Sequence, residues 1–438
     1  METSLRPSPP SAVLGPADPA APPPTEPVAP APPDPAAPAA EPIPFARTEI
    51  CPEARAAALR VLASGWVTTG EQAAAFEREF ADRVRARHAV AVSSCTAALE
   101  LAFRALRLPR GALVLVPDLT FCGAAQAVLH AGLRPVLVDV DPVTAMPTAA
   151  TTARAARSHG RPAALLALHF TGAPAPVAEL AAAAGLPPSR VVEDAAHALG
   201  TEVGGRPVGA LTRAACFSFY ATKNLPIGEG GMVTTDDAAL AERVRRASLH
   251  GMSVDAWRRH RLGGSWQYAV DEDGLKANMT DLQAAIGRAQ LGQLDGWQRR
   301  RAELAARYTA QLGRLPGLLP PLAPAPGTGR HAWHLYVLRV LPEYGRSRDD
   351  LVAQLAARGI GSSVHFIPLH RLGLFRRAAL RPLGGLPGAD LLFPRLLSLP
   401  LHPGLTDAQL DRVCEALADL ARPVPTIRSA PRPVPLGG

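Results

Sequence analysis

Short, uninterrupted apolar runs alternate with stretches of helical period through the first two thirds of this chain. Residues 88–93 (HAVAVS) lead into a helical stretch at 96–106, and residues 112–117 (ALVLVP) into a helix near 122–131. The runs 135–140 (PVLVDV), 163–170 (AALLALHF) and 190–194 (RVVED) continue the pattern, followed by strands at 214–220 and 231–235. Runs that are apolar at every position predict a parallel sheet buried on both faces by the intervening helices. The fold class is therefore α/β.

Further along, the period is helical from Asp281 to about Leu312. After a Pro-rich connection, residues 331–340, a helix at 348–358, residues 362–366 and a helix over 406–420 predict a smaller α+β domain. The expected organisation is a large α/β domain over 43–314 and a small C-terminal domain over 315–421. Residues 1–42 are mostly Pro, Ala, Glu, Asp and Ser, and 16 of the 46 prolines fall within residues 1–44. Such a stretch cannot bury a core and is expected to form a mobile arm, as is the tail over 422–438.

Composition narrows the class. No apolar run reaches the roughly 18 residues of a membrane helix, and the N-terminus lacks the apolar core of a secretory signal. Five cysteines without CxxC spacing argue against a disulfide framework or a metal site and fit a reducing cytoplasm. The net charge of +8 comes from scattered arginines, with clusters at Arg258, Arg259, Arg261 and at Arg299 to Arg301. No aromatic interleaving accompanies them, so solvated helix faces are expected rather than a nucleic-acid surface. Of the 46 basic residues, Lys223 and Lys276 are the lysines and the other 44 are arginines. A lysine kept in so arginine-rich a chain points to amine chemistry that arginine cannot supply, or to chance survival on the surface.

Three segments carry candidate chemistry. The strand ending in Glu193 and Asp194 brings a carboxylate to the carboxyl edge of the sheet, with His197 three residues on. Taken alone, Asp194 reads first as a helix cap. In FSFYATKNLPIGEGG (217–231), Ser218 and then Lys223 follow a strand and precede a glycine-rich turn, which places the amine to form a Schiff base with an aldehyde. At VSSCTAAL (92–99), a strand passes into a helix whose free N–H groups, with Ser94 and Thr96, suit a phosphate or a simple cap. No glycine cluster matches GxGxxG or GxxxxGK[ST]. A phosphate cradle, a strand-end acid and a loop lysine together fit pyridoxal phosphate, with Phe121 placed to stack on its ring.

The order GWVTTG (65–70), SSCTAAL (93–99), PDLTF (117–121), VDVD (138–141), VVEDAAHALGT (191–201), FSFYATKNLPIGEGGMVTTDD (217–237), NMTDLQAAIGRAQL (278–291) and HAWHLYVLRV (331–340) resembles the DegT-type family of PLP-dependent sugar aminotransferases. Its wording is closest to the UDP-4-amino-4-deoxy-L-arabinose–oxoglutarate aminotransferase branch. The resemblance implies the type I aminotransferase fold. It also implies that Lys223 is the Schiff-base lysine and proton carrier, Asp194 the partner of the pyridinium nitrogen, and His197 the neighbour of the ring hydroxyl. Cys95 (by its backbone), Thr96 and Ser218 would bind phosphate, and Phe121 would stack on the ring. Asn278 would reach the phosphate of a partner subunit, implying a homodimer with shared active sites, while Thr68, His334 and His365 would line the sugar pocket. The activity implied is transfer of an amino group from L-glutamate, leaving 2-oxoglutarate, to a nucleotide-linked keto sugar. A keto-cyclitol acceptor and a non-catalytic regulator on the same fold are the alternatives. Cys95 departs from the Gly or Ala usual at its position.

Overall fold

The computed structural model describes residues 41–253, 266–325 and 327–422. The arm over 1–40, the tail over 423–438 and the basic cluster at Arg258, Arg259 and Arg261 lie outside the described residues.

A seven-stranded sheet carries the site. In chain order its strands are β1 (His88–Val92), β2 (Leu113–Pro117), β3 (Arg134–Val138), β4 (Ala164–Leu168), β5 (Val191–Asp194), β8 (Ala214–Ser218) and β9 (Gly231–Thr235). They lie side by side in the order β1-β9-β8-β5-β4-β2-β3. Every pairing from β8 to β3 is parallel, while β9 is antiparallel to both its neighbours. Parallel strands all end at one edge, and the antiparallel β9 begins there, so the chemistry-bearing strand ends are delivered together.

The apolar runs are continuous because both faces are covered. One face packs with Val90, Val116, Leu166, Val192 and Val233, and the other with Ala91, Ala215, Phe217 and Met232 in one cluster and Leu115, Leu165 and Val191 in another. Burying a branched or aromatic side chain of this kind contributes roughly 1.5–3 kcal/mol.

Helix α1 (Pro52–Ser64) and helix α2 (Glu71–Val84) precede the first strand, and helix α3 (Cys95–Ala105) follows it. Ser94 caps α3 by accepting the N–H of Ala97 at 3.1 Å, a contact worth about 1 kcal/mol. Gly231, where β9 starts, is tight against this cap: a Cβ there would fall 2.4 Å from the Ser94 carbonyl oxygen. Only glycine lets the strand and the helix entrance come so close.

The helical stretch after Asp281 is two helices, Asp281–Leu291 and Leu294–Leu312, interrupted at Gly292. A second sheet of β10 (Leu318–Leu319), β12 (Tyr336–Val340) and β13 (Leu396–Leu399), in the order β10-β12-β13, has its own core around Tyr308, Tyr336, Leu397 and Leu417. Residues 362–366 are not a strand: they contribute one isolated bridge, Ser363 to Ser398. Nor does the strand at 331–340 begin at His331. The short strands β6 (Glu202–Val203), β7 (Arg206–Pro207) and β11 (Gly329–Arg330) form a small sheet in the order β11-β6-β7, and Ala332, His334 and Leu335 hydrogen-bond to Gly172 and Thr171 before β12 starts. Among the described residues no helix is long and apolar enough to cross a membrane.

Candidate active site

Nine of the eleven expected site residues line one cavity of about 480 Å³: Cys95, Thr96, Phe121, Asp194, His197, Ser218, Lys223, His334 and His365. Thr68 and Asn278 do not line it. Asn278 donates to Thr69 at 2.6 Å and accepts from Lys276, and the Thr68 carbonyl accepts the N–H of Asp281 at 3.0 Å. These bonds tie the two segments together, and Asn278 also bridges Val92 at the end of β1.

Successive residues of a strand face opposite ways, and the acid pair at the end of β5 divides its work accordingly. Asp194 faces the cavity. Glu193 faces away, accepting from His169 Nε2 at 2.9 Å and from Thr212 at 2.8 Å, while His169 Nδ1 accepts the N–H of Ala175. Asp194 Oδ1 takes the N–H of Ala196 at 3.0 Å within a turn, and no helix follows the strand, so the helix-cap reading open to it in sequence does not hold. Cys95 adds a thiol contact to the same oxygen. Oδ2 receives no donor from the described residues. Burial raises the Asp194 pKa, against the lowering effect of the Ala196 N–H and of Lys223.

Lys223 sits in the loop between β8 and β9, anchored by its own N–H to the Tyr220 carbonyl at 2.8 Å. Burial lowers its pKa to about 8, although Cys95 and Asp194 pull it upward. Roughly a tenth is thus free amine at pH 7, far more than for an ordinary lysine, as a nucleophile requires. Around it stand three histidines kept neutral chiefly by burial, with the Lys223 charge adding to the effect: His197 and His334 well below the ordinary value and His365 at about 4. His197 lies 4.4 Å from His334 and stacks on Phe366 at 6.0 Å.

The cavity fits pyridoxal phosphate on its own geometry. The α3 N-terminus opens into it at Cys95 and Thr96. Gly123 keeps that corner clear: a Cβ there would meet Thr96 Oγ1 at 2.6 Å and the Phe121 ring at 3.1 Å. Phe121 leaves its ring 57% exposed on the cavity wall. Two buried polar atoms in this wall, His197 Nδ1 and Thr120 Oγ1, have no partner among the described residues. A free carboxylate oxygen, a free amine and unpaired donors around an exposed aromatic face match the cofactor's ring nitrogen, aldehyde and hydroxyl.

Sequence reasoning missed several wall residues. Phe45, the first aromatic after the Pro/Ala-rich arm, stacks on His365 at 5.6 Å. Phe366, Thr120, Tyr220 and Glu229 also line the cavity. Asn224, next to Lys223 in sequence, is buried and bonded to His334. The expectation that Arg299 to Arg301 is a solvated face fails at Arg301. That guanidinium is 3% exposed and donates to the carbonyls of Trp333, His334 and Leu401 at 3.2, 3.3 and 2.8 Å. It has no carboxylate partner among the described residues, and burial lowers its pKa to about 10.

Comparison with known proteins agrees with this geometry. The family model described as the DegT/DnrJ/EryC1/StrS aminotransferase family matches residues 49–418. The spore coat polysaccharide biosynthesis protein SpsC of Bacillus subtilis (strain 168) is 43% identical over 365 residues, spanning 82% of this chain and 92% of that protein. DesV of S. venezuelae, solved in complex with a ketimine intermediate, superposes with a TM-score of 0.75 at 36% identity, covering 85% of this chain and 95% of DesV. Spr1654 from Streptococcus pneumoniae in its PLP-form superposes at 0.77 with 27% identity, covering 86% and 98%.

Proposed function

The chain belongs to the DegT/DnrJ/EryC1/StrS aminotransferase family of pyridoxal-phosphate enzymes, and we propose that it moves the amino group of L-glutamate to the keto group at carbon 4 of a nucleotide-linked deoxy sugar. The observation that carries this reading is Lys223 as a buried amine of lowered pKa in one cavity with Asp194 and the α3 N-terminus. Lys223 would hold the cofactor's aldehyde and carry the proton between the cofactor and substrate carbons. Asp194, through its free Oδ2, holds the ring nitrogen protonated. Thr96, Ser218 and the Cys95 N–H take the phosphate, with Phe121 on one side of the ring and His197 beside it. When bound, the cofactor supplies an electron sink for the carbon that bears the amine.

Charge in the wall bears on the acceptor. Among the described residues lining the cavity, Lys223 is the only cation, in a chain with 44 arginines. Neutral His334 and His365 with Leu399 and Leu401 suit an uncharged sugar ring rather than a diphosphate, which then lies toward the mouth. Asn278 and Thr68, absent from the wall of their own protomer, are assigned to the cavity of a second copy, so the working form is a homodimer with shared sites. The relation to SpsC supports a deoxyamino sugar destined for a polysaccharide.

The test is a visible spectrum of the purified protein with pyridoxal phosphate, before and after L-glutamate. A band that forms and then bleaches supports the cofactor, the lysine linkage and the donor. A band that glutamate leaves unchanged overturns the donor, and no band overturns the cofactor assignment. Nucleotide-linked 4-keto sugars assayed beside keto-cyclitols then decide the acceptor.

A further inference from the structure

A hydrogen-bonded chain runs from the backbone to the amine of Lys223. Asn224 Nδ2 donates to the Ala332 carbonyl at 2.8 Å. That orientation leaves Asn224 Oδ1 facing His334 Nδ1 at 3.1 Å. His334 Nε2 in turn lies 3.4 Å from Lys223 Nζ. An amide oxygen can only accept, so the hydrogen on the neutral His334 ring is assigned to Nδ1. Nε2 is then a bare lone pair, and it faces the amine.

We propose that Asn224 is a positioning residue for Lys223, acting through His334: by fixing the Nδ1–H tautomer, it makes His334 an acceptor for the lysine amine rather than a donor to it. The proposal rests on the aminotransferase reading given above. An imidazole free to choose would place a hydrogen on Nε2 for much of the time and push an N–H against the amine. Held as acceptor, Nε2 takes one amine hydrogen and so orients the amine's lone pair away from the ring. The same contact favours the ammonium form, against the burial that disfavours it.

Among the described residues, nothing else near Lys223 substitutes for this contact. Asp194 attracts the amine by charge alone, Cys95 stays an uncharged thiol, and among the described residues no hydrogen bond joins either to Nζ. His197 and His365 are held neutral by burial and make no hydrogen bond to Nζ among the described residues, and Arg301 holds the His334 carbonyl rather than its ring. Asn224 itself is 5% exposed and lies off the cavity wall, so its effect on the amine has to pass through His334.

The chain's composition makes the test direct, because ¹⁵N-lysine labelling yields two side-chain signals, Lys223 and Lys276. In the cofactor-free protein, Asn224→Ala is expected to lower the Lys223 midpoint by about one pH unit, a tenfold change in proton affinity. Lys276, exposed and bonded to Asn278, serves as the internal control and stays put. Asn224→Asp keeps an oxygen on His334 Nδ1 and is expected to restore or raise the midpoint. In the loaded enzyme, Asn224→Ala is expected to lower kcat about tenfold while the donor KM stays within about twofold. A Lys223 midpoint identical in the parent and in Asn224→Ala overturns the proposal. So does an Asn224→Asp variant that behaves like Asn224→Ala. Should the parent form no visible band with pyridoxal phosphate, the functional reading fails while the lysine titration still decides the tautomer.

Discussion

The thiol of Cys95 lies 3.9 Å from Asp194 Oδ1 and 3.4 Å from the carbonyl of Cys216, joining the entrance of α3 to the ends of β5 and β8. Burial first, and then the Asp194 charge, raise its pKa well above the ordinary thiol value. It therefore remains S–H, a weak donor that adds little to the Ala196 N–H on the same oxygen. Cys95→Ala is expected to keep the transamination rate within about threefold, because the cradle uses the backbone at this position. A loss of a hundredfold in steady-state assays would assign the thiol a role of its own.

Replacing Asp194 acts differently. Asp194→Asn keeps the shape but loses the negative charge at Oδ2, leaving nothing to hold a protonated ring nitrogen. A rate loss of at least a hundredfold is expected, roughly 2.7 kcal/mol in the barrier, with the donor KM little changed. Near-parental turnover would move the role to another acid.

Lys223→Ala removes the sole cation of the cavity wall among the described residues. The variant is expected to show no lysine-linked visible band and no measurable turnover. Exogenous methylamine restoring part of the rate would confirm that the loss is of an amine rather than of the fold.

Gly123→Ala places a methyl 2.6 Å from Thr96 Oγ1 and against the Phe121 ring. The expected result is a cofactor dissociation constant at least tenfold higher, about 1.4 kcal/mol, with an unchanged urea midpoint for the cofactor-free protein. Fluorescence titration with pyridoxal phosphate reads it.

Stability is expected to peak near pH 6.5 and fall on both sides. His370 gives its backbone N–H to Asp118 Oδ1 at 2.9 Å, and its ring nitrogens face Asp118 Oδ2 at 2.6 Å and Asp390 Oδ1 at 3.1 Å. The Asp118 hydrogen bond raises its pKa. A raised folded value means stability fully present below the unfolded value of about 6.5 and lost as pH climbs through the folded one. His331 at about 3, with His365 and His402 at about 4, are depressed by burial and act in the opposite sense, losing stability as pH drops below about 6.5. His370→Asn is expected to flatten the alkaline limb alone, as followed by urea midpoints from pH 5 to 9.

The sheet and the chemistry at its edge were legible in the sequence because strands buried on both faces are apolar at every position, as ALVLVP shows. The lysine stood out because arginine supplies nearly all the positive charge of this chain, and the acid only once the lysine and the phosphate-suited helix start stood beside it. Helices α1 and α2 were not legible. In α1 the buried positions are Ala54, Ala57 and Val61, and alanines are too common throughout this chain to mark a face. Strand β13 hides in LLSL between Pro394 and Pro400 and exists because β12 pairs with it. The arginine run misled because the partners of Arg301 are backbone carbonyls 32, 33 and 100 positions away, invisible to any local pattern. Asn224 was hidden likewise, since its meaning depends on His334, 110 positions on.

The cavity wall draws on residues from Phe45 to Leu401, and its polar contacts join segments 99 and 111 positions apart. The consequence is one of timing. Contacts so distant in sequence form late, after the cost of closing their loops has been met. A growing chain that has already presented Lys223 still lacks His334, and then the leucines at 399 and 401, for as long as those residues are being added. Cofactor capture at this lysine therefore reports a finished molecule, and a truncated or stalled chain is marked by its failure to take up colour.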